Sequence, residues 1–297
     1  PIVGVINRGF RIYINSGAII DPEVLMDELV RMNVDRGRVT VHPNAAVITQ
    51  EDRDYERSKA SGATKIASTQ KGVGRALARK VMREGMVAKD HPLLQDFIGT
   101  INLNHQLAQG ARVMVEIPQG FDLGNDRPFY PHCTSRIISV AQGFSDAGIN
   151  PIFMGERIMT VRTYPIRVGN IIQDGETLGT SGAHYDDQRE VSWEELGQKA
   201  EITTVTKRVR RVFTFSKKQY KAALEAIRPT HVFLNFVNYL ESPDELLTML
   251  SNMERMELET GLAPKKLFGI GPATNHVIES QPEAISWLYR KAVDAVS

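Results

Sequence analysis

Cysteine is almost missing from this chain. One residue of 297, Cys133, carries a thiol, which excludes internal disulfides and fits a reducing compartment. Cys133 is not expected to act as a nucleophile. Neither charge sign dominates: 36 basic residues face 35 acidic ones for a net +1, so no wholesale polyanion surface and no direct nucleic-acid binding are expected. The seven histidines are scattered, without a pair at metal-ligand spacing. No apolar run reaches membrane-spanning length and no signal peptide is visible, which points to a soluble protein of the cytoplasm. Repeats and low-complexity tracts are also missing.

What is present alternates between helix and strand signals. Asp21-Pro22-Glu23 reads as an N-cap with proline in the first turn, Leu25, Leu29 and Met32 recur at helical spacing, and Gly37 marks the stop. Residues 39–48 read as a strand and turn, Pro92 to Gln109 as a core-facing helix, and 113–117 and 157–168 as strands. Ser192-x-x-Glu195 and Ser216-x-x-Gln219 are capping boxes, and Ser242-Pro243-Asp244-Glu245 adds proline to the same pattern. Val232–Phe236 reads as a buried strand, and 243–259 and 283–295 as amphipathic helices, with Trp287 facing the core. Residues 173–190 read as a surface loop. The alternation implies an α/β fold, a largely parallel sheet covered by helices, and the length suits a single domain over 1–297, although it would also allow two.

Three segments carry chemistry. The first is Val115-Glu116-Ile117-Pro118-Gln119-Gly120, running on to Tyr130-Pro131-His132-Cys133-Thr134-Ser135. A strand end opening into a polar loop is where α/β enzymes place ligands, and it is also what an ordinary surface loop looks like. The second is Ser61 to Arg75, small, hydroxylated, glycine-bearing and basic, followed by a helix over Ala76–Arg83 with a basic face. Freed backbone amides, hydroxyls and cations suit a phosphate; a flexible loop before a solvated helix is the plainer reading. The third is Glu201 to Arg211, where three threonines and four basic residues fall within the nine positions 203–211. An alternating strand would put Lys207, Val209 and Arg211 on one face. Forked guanidinium donors suit a carboxylate ligand; basic residues also protect exposed sheet edges.

Together these segments resemble the adenylosuccinate synthetase family. Ile66 to Gly74 is similar to its nucleotide-phosphate loop. Glu116–Gly120 with Asp126 and Tyr130–Ser135 is similar to its nucleotide pocket, and Tyr164-Pro165-Ile166-Arg167-Val168-Gly169 to the next pocket strand. Thr203–Arg211 is similar to its aspartate loop, and Leu267-Phe268-Gly269-Ile270-Gly271-Pro272 to its triphosphate turn. The match runs nearly the whole chain in the family's order and implies its P-loop-NTPase-like fold. Cys133 within Pro131–Ser135, and Trp193–Gly197 leading to Thr203–Lys207, resemble the shorter branch of phages and archaea, whose phage members make 2-aminoadenylosuccinate from (d)GMP. A phage origin would place the protein in the host cytoplasm.

The resemblance implies a carbon–nitrogen ligase using Mg²⁺. The purine 6-oxo group is first phosphorylated by the triphosphate, and the aspartate amine then displaces phosphate. Carried over by position, Thr69 with Ser68 contacts the substrate 5′-phosphate, and Arg83 reaches the same phosphate across a homodimer. Gln119, the catalytic candidate, hydrogen-bonds near the purine 6-position. Leu123 and Val168 pack on base or ribose, and Thr134 binds phosphate. Thr203, Thr204 or Thr206, with Arg208 and Arg210, hold aspartate, the threonine register staying open. Gly271 and Pro272 border the donor base.

Three departures have chemical content. The family reads guanine with a Lys-x-Asp pair, and here Phe236 and Asn238 take those positions. A carboxylate accepts both guanine N1–H and N2–H, whereas an asparagine offers one acceptor and one donor pair, which suits adenine. Phe236 adds a stacking surface. ATP or dATP is therefore the expected donor, with turn-capping the plainer role for Asn238. Arg136 stands where the family usually has serine. The family's opening glycine-rich loop, catalytic acid and Gly/Asn/His loop do not occur, and Pro1-Ile2-Val3-Gly4-Val5-Ile6 joins the pattern partway. A fragment, or an N-terminal portion outside this sequence, is expected, and the metal ligands cannot be named. The leading expectation is a ligase acting on (d)GMP. The others are adenylosuccinate synthesis from IMP and a non-catalytic nucleotide-binding relative.

Overall fold

The computed structural model describes residues 9–204 and 206–294. Pro1–Ile6 lie outside them. The chain divides after Met154 into two compact units.

In the first unit, strands β1 (Ile12–Ile14) and β2 (Ile19–Ile20) precede helix α1 (Pro22–Arg31), and β3 (Val39–Val41) and β4 (Ala46–Val47) follow it. β1 pairs with β3 and β2 with β4, both parallel. Parallel neighbours need a crossover, and α1 lies in it. Asp21 caps α1 by accepting the Val24 amide at 3.3 Å, and Pro22 takes the first helical turn, where its missing N–H costs nothing. Leu25 and Leu29, one turn apart, bury against Ile20, Val39, Val41, Val47, Leu94 and Phe97. The helix stops at Arg31, before Gly37: Asn33 turns the chain at φ +49°, and Gly37 sits in a 3-10 turn whose amide Asp35 accepts at 2.9 Å.

Helix α2 (Gln50–Arg57) opens with a reciprocal box between Thr49 and Asp52, and helix α3 (Val73–Met82) follows. The single helix expected from Pro92 to Gln109 is broken into a 3-10 segment, Pro92–Phe97, and the short α4 (Leu103–Ala108). Ile98 bridges Val41, and the Gly99 amide donates to the Val41 carbonyl at 3.0 Å, so this backbone satisfies itself on the sheet instead of continuing the helix. The strand expected over 113–117 does not form, because no strand among the described residues pairs with it. Ile117 instead packs on Gly143 of helix α5 (Val140–Ala147), where an added Cβ would meet it at 2.6 Å.

The second unit runs β5 (Ile158–Arg162), β6 (Ile166–Arg167), β7 (Ile171–Gln173), β8 (Glu176–Gly179), β9 (Glu190–Val191), β10 (Arg211–Phe213), α6 (Lys217–Ile227), β11 (His231–Asn235), α7 (Pro243–Thr260), β12 (Lys265–Gly269), β13 (Val277–Ile278) and α8 (Gln281–Asp294). Its main sheet has the order β13-β12-β11-β5, with β5, β11 and β12 parallel and β13 antiparallel at the edge. A smaller antiparallel sheet, β6-β10-β9, covers Val191, Trp193, Leu196 and Val212. The strand expected over 157–168 is therefore two, because β6 leaves the main sheet to pair with β10. The loop expected over 173–190 instead begins inside the hairpin β7–β8 and includes its turn and second strand. Its turn, Asp174-Gly175, holds φ of +52° and +82°, the pair of left-handed residues that a tight hairpin turn requires.

Ser216 and Ser242 cap α6 and α7 as their sequence boxes suggest, accepting the Gln219 and Glu245 amides at 2.9 and 3.3 Å. Ser192 accepts the Glu195 amide at 3.0 Å but closes a single turn and no helix. Trp287 is half-buried on α8, whose fully buried positions are Ala284 and Leu288. Among the described residues no helix is long and apolar enough to cross a membrane.

Candidate functional site

In the first unit the phosphate-loop candidate leads into α3. The carboxylate of Glu56, on α2, accepts the amides of Gly72, Gly74 and Arg75 at 2.7, 2.9 and 3.3 Å. Free amides at a helix N-terminus are a ready anion site, and here a side chain already fills it. Ser68-Thr69-Gln70 lies just before these amides. Ala67 and Gln70 hold φ of +50° and +53°, and Gln70 is fixed by its amide on the Ser68 hydroxyl at 3.2 Å and its side chain on Thr64 at 2.9 Å. Thr69 is exposed, and its hydroxyl bonds no described residue.

The 119–136 segment reaches this loop through Ser135, whose Cβ lies 3.4 Å from where a Cβ on Gly74 would stand. The Thr134 amide donates to the Leu123 carbonyl at 2.7 Å, which joins two of the candidate substrate residues. Gly124 has no room for a side chain: a Cβ would come within 2.5 Å of Asp126 Oδ1. Gln119 stands on an exposed bend at φ +76°, a conformation that residues other than glycine rarely adopt and that is enriched at functional positions. Arg83 closes α3 at φ +65°, exposed and without an acidic partner among the described residues. Arg136 pairs with Asp146 and donates to the Gly17 carbonyl at 2.9 Å, so the departure at this position ties down the bend after β1. Lys80 meets the neighbouring Ser16 carbonyl. Burial pushes its pKa down, Asp146 opposing and Arg136 adding to the shift.

In the second unit Thr203, Thr204 and Thr206 to Arg208 form a closed loop and not the alternating strand expected, which begins only at Arg211. Lys207 turns the chain at φ +55°. Thr203 is buried and builds the loop: its hydroxyl lies 2.6 Å from that of Thr206 and accepts the Arg208 amide at 2.9 Å. Thr204 is the exposed threonine. Arg208 donates to the Gly169 carbonyl at 3.0 Å, which brings the loop beside Val168, and burial lowers its pKa. Gly169 packs so closely that a Cβ would meet the Val209 carbonyl at 2.1 Å. Arg210 lies 4.0 Å from Glu201.

The donor-base candidates meet because β11 and β12 are parallel neighbours, so their C-terminal ends open side by side. A Cβ on Gly269 would stand 2.2 Å from Asn235 Oδ1, and one on Gly271 2.4 Å from His276 Nδ1. Phe236 turns at φ +63°; its amide donates to Asn235 Oδ1 at 2.8 Å, and its carbonyl accepts the buried Thr163 hydroxyl at 2.8 Å. Lys291, on α8, donates to the carbonyls of Asn238 and Leu240 at 2.8 and 2.9 Å. The Asn238 side chain bonds no described residue, so it does not cap this turn. The Arg162 guanidinium lies 3.5 Å above the Phe236 ring, with Tyr239 at 5.0 Å from the same ring.

Arg162, Tyr239, Lys291 and Glu56 organise these sites and carry no motif in the sequence; Glu201 opens the third segment, which names no role for it. Among the described residues no group of three or more histidine, cysteine, aspartate or glutamate side chains is arranged to hold a metal ion. The Mg²⁺ that the family resemblance implies therefore has no cluster of three such side chains to hold it among them.

In the second unit the parallel strands β11 and β12 end side by side near the Phe236–Asn238 turn, and in the first a hydroxyl-rich loop leads into α3; each accords with a family match. The chain matches adenylosuccinate synthetase over residues 2–96 and 89–251, and it belongs to that family of purine-biosynthetic carbon–nitrogen ligases. Its relatives include the N6-succino-2-amino-2'-deoxyadenylate synthase of Salmonella phage PMBT28, 39% identical over 292 residues, spanning 90% of this chain and 78% of the relative. The adenylosuccinate synthetase of a Pyrococcus species is 29% identical, spanning 93% and 81%. Among solved structures, the succinoaminodeoxyadenylate synthetase of Cyanophage S-2L, bound to dGMP and dATP as an energy donor, superposes with a TM-score of 0.82 at 32% identity. That match covers 95% of this chain and 80% of the other. The resemblance to the phage and archaeal branch is borne out.

Proposed function

We propose that this protein joins L-aspartate to the 6-position of (d)GMP, using ATP or dATP, to give 2-amino-(deoxy)adenylosuccinate. The likeness to phage synthases of that name across 90% of the chain carries the reading. The unpartnered Asn238 side chain beside Phe236 supports the donor assignment. As N1 gives up its proton, the 6-oxo oxygen attacks the γ-phosphorus and releases (d)ADP; the aspartate amine then adds at C6, phosphate leaves and the amine loses a proton. Such phosphoryl transfer depends mainly on positioning and charge stabilisation.

Thr69 and Thr134, with Ser68, take the substrate phosphate. Leu123 and Val168 flank base or ribose, and Gln119 hydrogen-bonds at the 6-position. Thr204 and Thr206 with Arg208 and Arg210 receive aspartate, on a loop that Thr203 holds in shape. Phe236, Asn238, Gly271 and Pro272 receive the donor base. Mg²⁺ accompanies the triphosphate. These roles belong to one synthetase-like domain, in the cytoplasm of the host if the gene is a phage's.

The deciding experiment is a product assay pairing dGMP or IMP with ATP or GTP, in the presence of aspartate and Mg²⁺ and with products resolved by mass. Product from dGMP with ATP or dATP, and little from IMP, is expected. Product only from IMP would make this an adenylosuccinate synthetase. No product from any pair would favour a nucleotide-binding role.

Arg83 serves the same substrate phosphate from the partner of a homodimer. It stands exposed beside Val81 and Met82, themselves 70% and 65% exposed. Loss of one charge-assisted hydrogen bond costs about 1.5–3 kcal/mol, so Arg83→Ala should raise KM for (d)GMP by roughly 10- to 100-fold. An active monomer by light scattering, or an unchanged KM, would remove this assignment.

A further inference from the structure

Glu201 stands at the stem of the 203–208 loop. Its carbonyl accepts the Arg210 amide at 2.8 Å, and the next residue, Ile202, bridges Val209. Its carboxylate reaches a different element. One oxygen accepts from the Arg162 guanidinium and from the Tyr239 hydroxyl, the latter at 3.0 Å. Both donors belong to the platform around the Phe236 ring, Arg162 lying directly over it and Tyr239 beside it. The other oxygen faces Arg210 Nε at 4.0 Å. The side chains of Arg162, Glu201 and Arg210 are 18%, 22% and 30% exposed, so these contacts are less screened than surface pairs. Tyr239 stays a donor, because burial first and the Glu201 charge second push its pKa up.

We propose that Glu201 is a positioning residue that couples the donor-base turn to the aspartate loop, so that each ligand's affinity depends on the other's presence. The proposal rests on the functional reading above. A purine stacking at Phe236 shares that surface with Arg162. Moving Arg162 changes its hold on Glu201, and with it the freedom of Arg210 to meet the aspartate carboxylate. In the opposite direction, a carboxylate drawing Arg210 away leaves Glu201 to Arg162 and Tyr239, which fixes the base platform. Coupling between binding sites is reciprocal and commonly amounts to about 5- to 150-fold.

The test is an initial-velocity grid of ATP against aspartate at saturating (d)GMP, with equilibrium titration of a non-hydrolysable ATP analogue with and without aspartate as a second readout. The wild-type enzyme should show an interaction factor of about fivefold or more. Glu201→Gln should bring the factor close to one. Tyr239→Phe, which removes one half-buried hydroxyl and keeps the ring, should lower it in part, and it preserves the test if Glu201→Gln does not fold. A factor of one in the wild-type enzyme, or a wild-type factor in both variants, would overturn the proposal. So would a lower Tm with both KM values raised alike and the factor unchanged, which is the mark of a purely structural role. A wild-type protein that forms no product with any nucleotide pair would instead show that the functional reading itself had failed.

Discussion

Asn238→Asp should shift the donor preference from ATP towards GTP by roughly 10- to 100-fold in the ratio of their kcat/KM values, since one good bidentate base contact discriminates by about 1–3 kcal/mol. The amide presents one acceptor and one donor pair, which matches an adenine edge. A carboxylate presents acceptors only, which matches the paired N1–H and N2–H of guanine. The exchange is local, because the Asn238 side chain has no hydrogen bond to lose, while Lys291 holds the backbone carbonyl of the same residue at 2.8 Å. Steady-state kinetics with both donors, at fixed (d)GMP and aspartate, give the ratio directly. Asn238→Ala serves as the control and should weaken ATP without favouring GTP. An ATP/GTP ratio unchanged by Asn238→Asp would mean that the base is read elsewhere.

Glu257→Ala should destabilise the second unit strongly. Glu257 is buried on α7, where it accepts from the Tyr220 hydroxyl of α6 and the Lys266 ammonium of β12, each at 2.7 Å. Three elements thus converge on one carboxylate. Its removal strands a poorly solvated ammonium and a buried hydroxyl, a loss of about 3–5 kcal/mol for a broken buried pair. Tyr220 remains a donor throughout, since burial and then Glu257 itself drive its pKa upward. Glu257→Gln keeps an acceptor for Tyr220 and should lose about half as much. Denaturant unfolding followed by circular dichroism measures both variants, and a loss below about 1 kcal/mol for the alanine variant would contradict the convergent role.

Features encoded by neighbouring residues were legible in the sequence. The caps Asp21, Ser216 and Ser242 begin the helices they foretell, and the apolar run Val232–Phe236 holds a central strand that ends at Asn235, where Phe236 turns the chain. The family's segments could be placed in order, and Phe236 and Asn238 follow β11 while Gly271 follows its parallel neighbour β12. What failed was set by distant partners. Leu93 to Leu107 has helical spacing, but Ile98 and Gly99 find Val41 on a strand and the helix breaks there. Residues 113–117 have the composition of a strand and lack a partner among the described residues. Asp174-Gly175 is a hairpin signal that the surrounding polarity concealed. The Arg162–Glu201–Tyr239 cluster joins residues 38 and 39 positions apart, and Glu56 meets Gly72 across 16. No local pattern records such pairings, and only the folded topology assembles them.

The clamp of Lys291 on the turn at Asn238 also orders events in time. The two residues are 53 positions apart, so a ribosome completes the turn well before it adds the helix that secures it. Until then the carbonyls of Asn238 and Leu240 have only water to satisfy them. The loops assigned to phosphate and to aspartate close with residues that are already made. On the proposed reading, the turn assigned to the energy-rich nucleotide is therefore secured later in synthesis than the loops assigned to phosphate and aspartate.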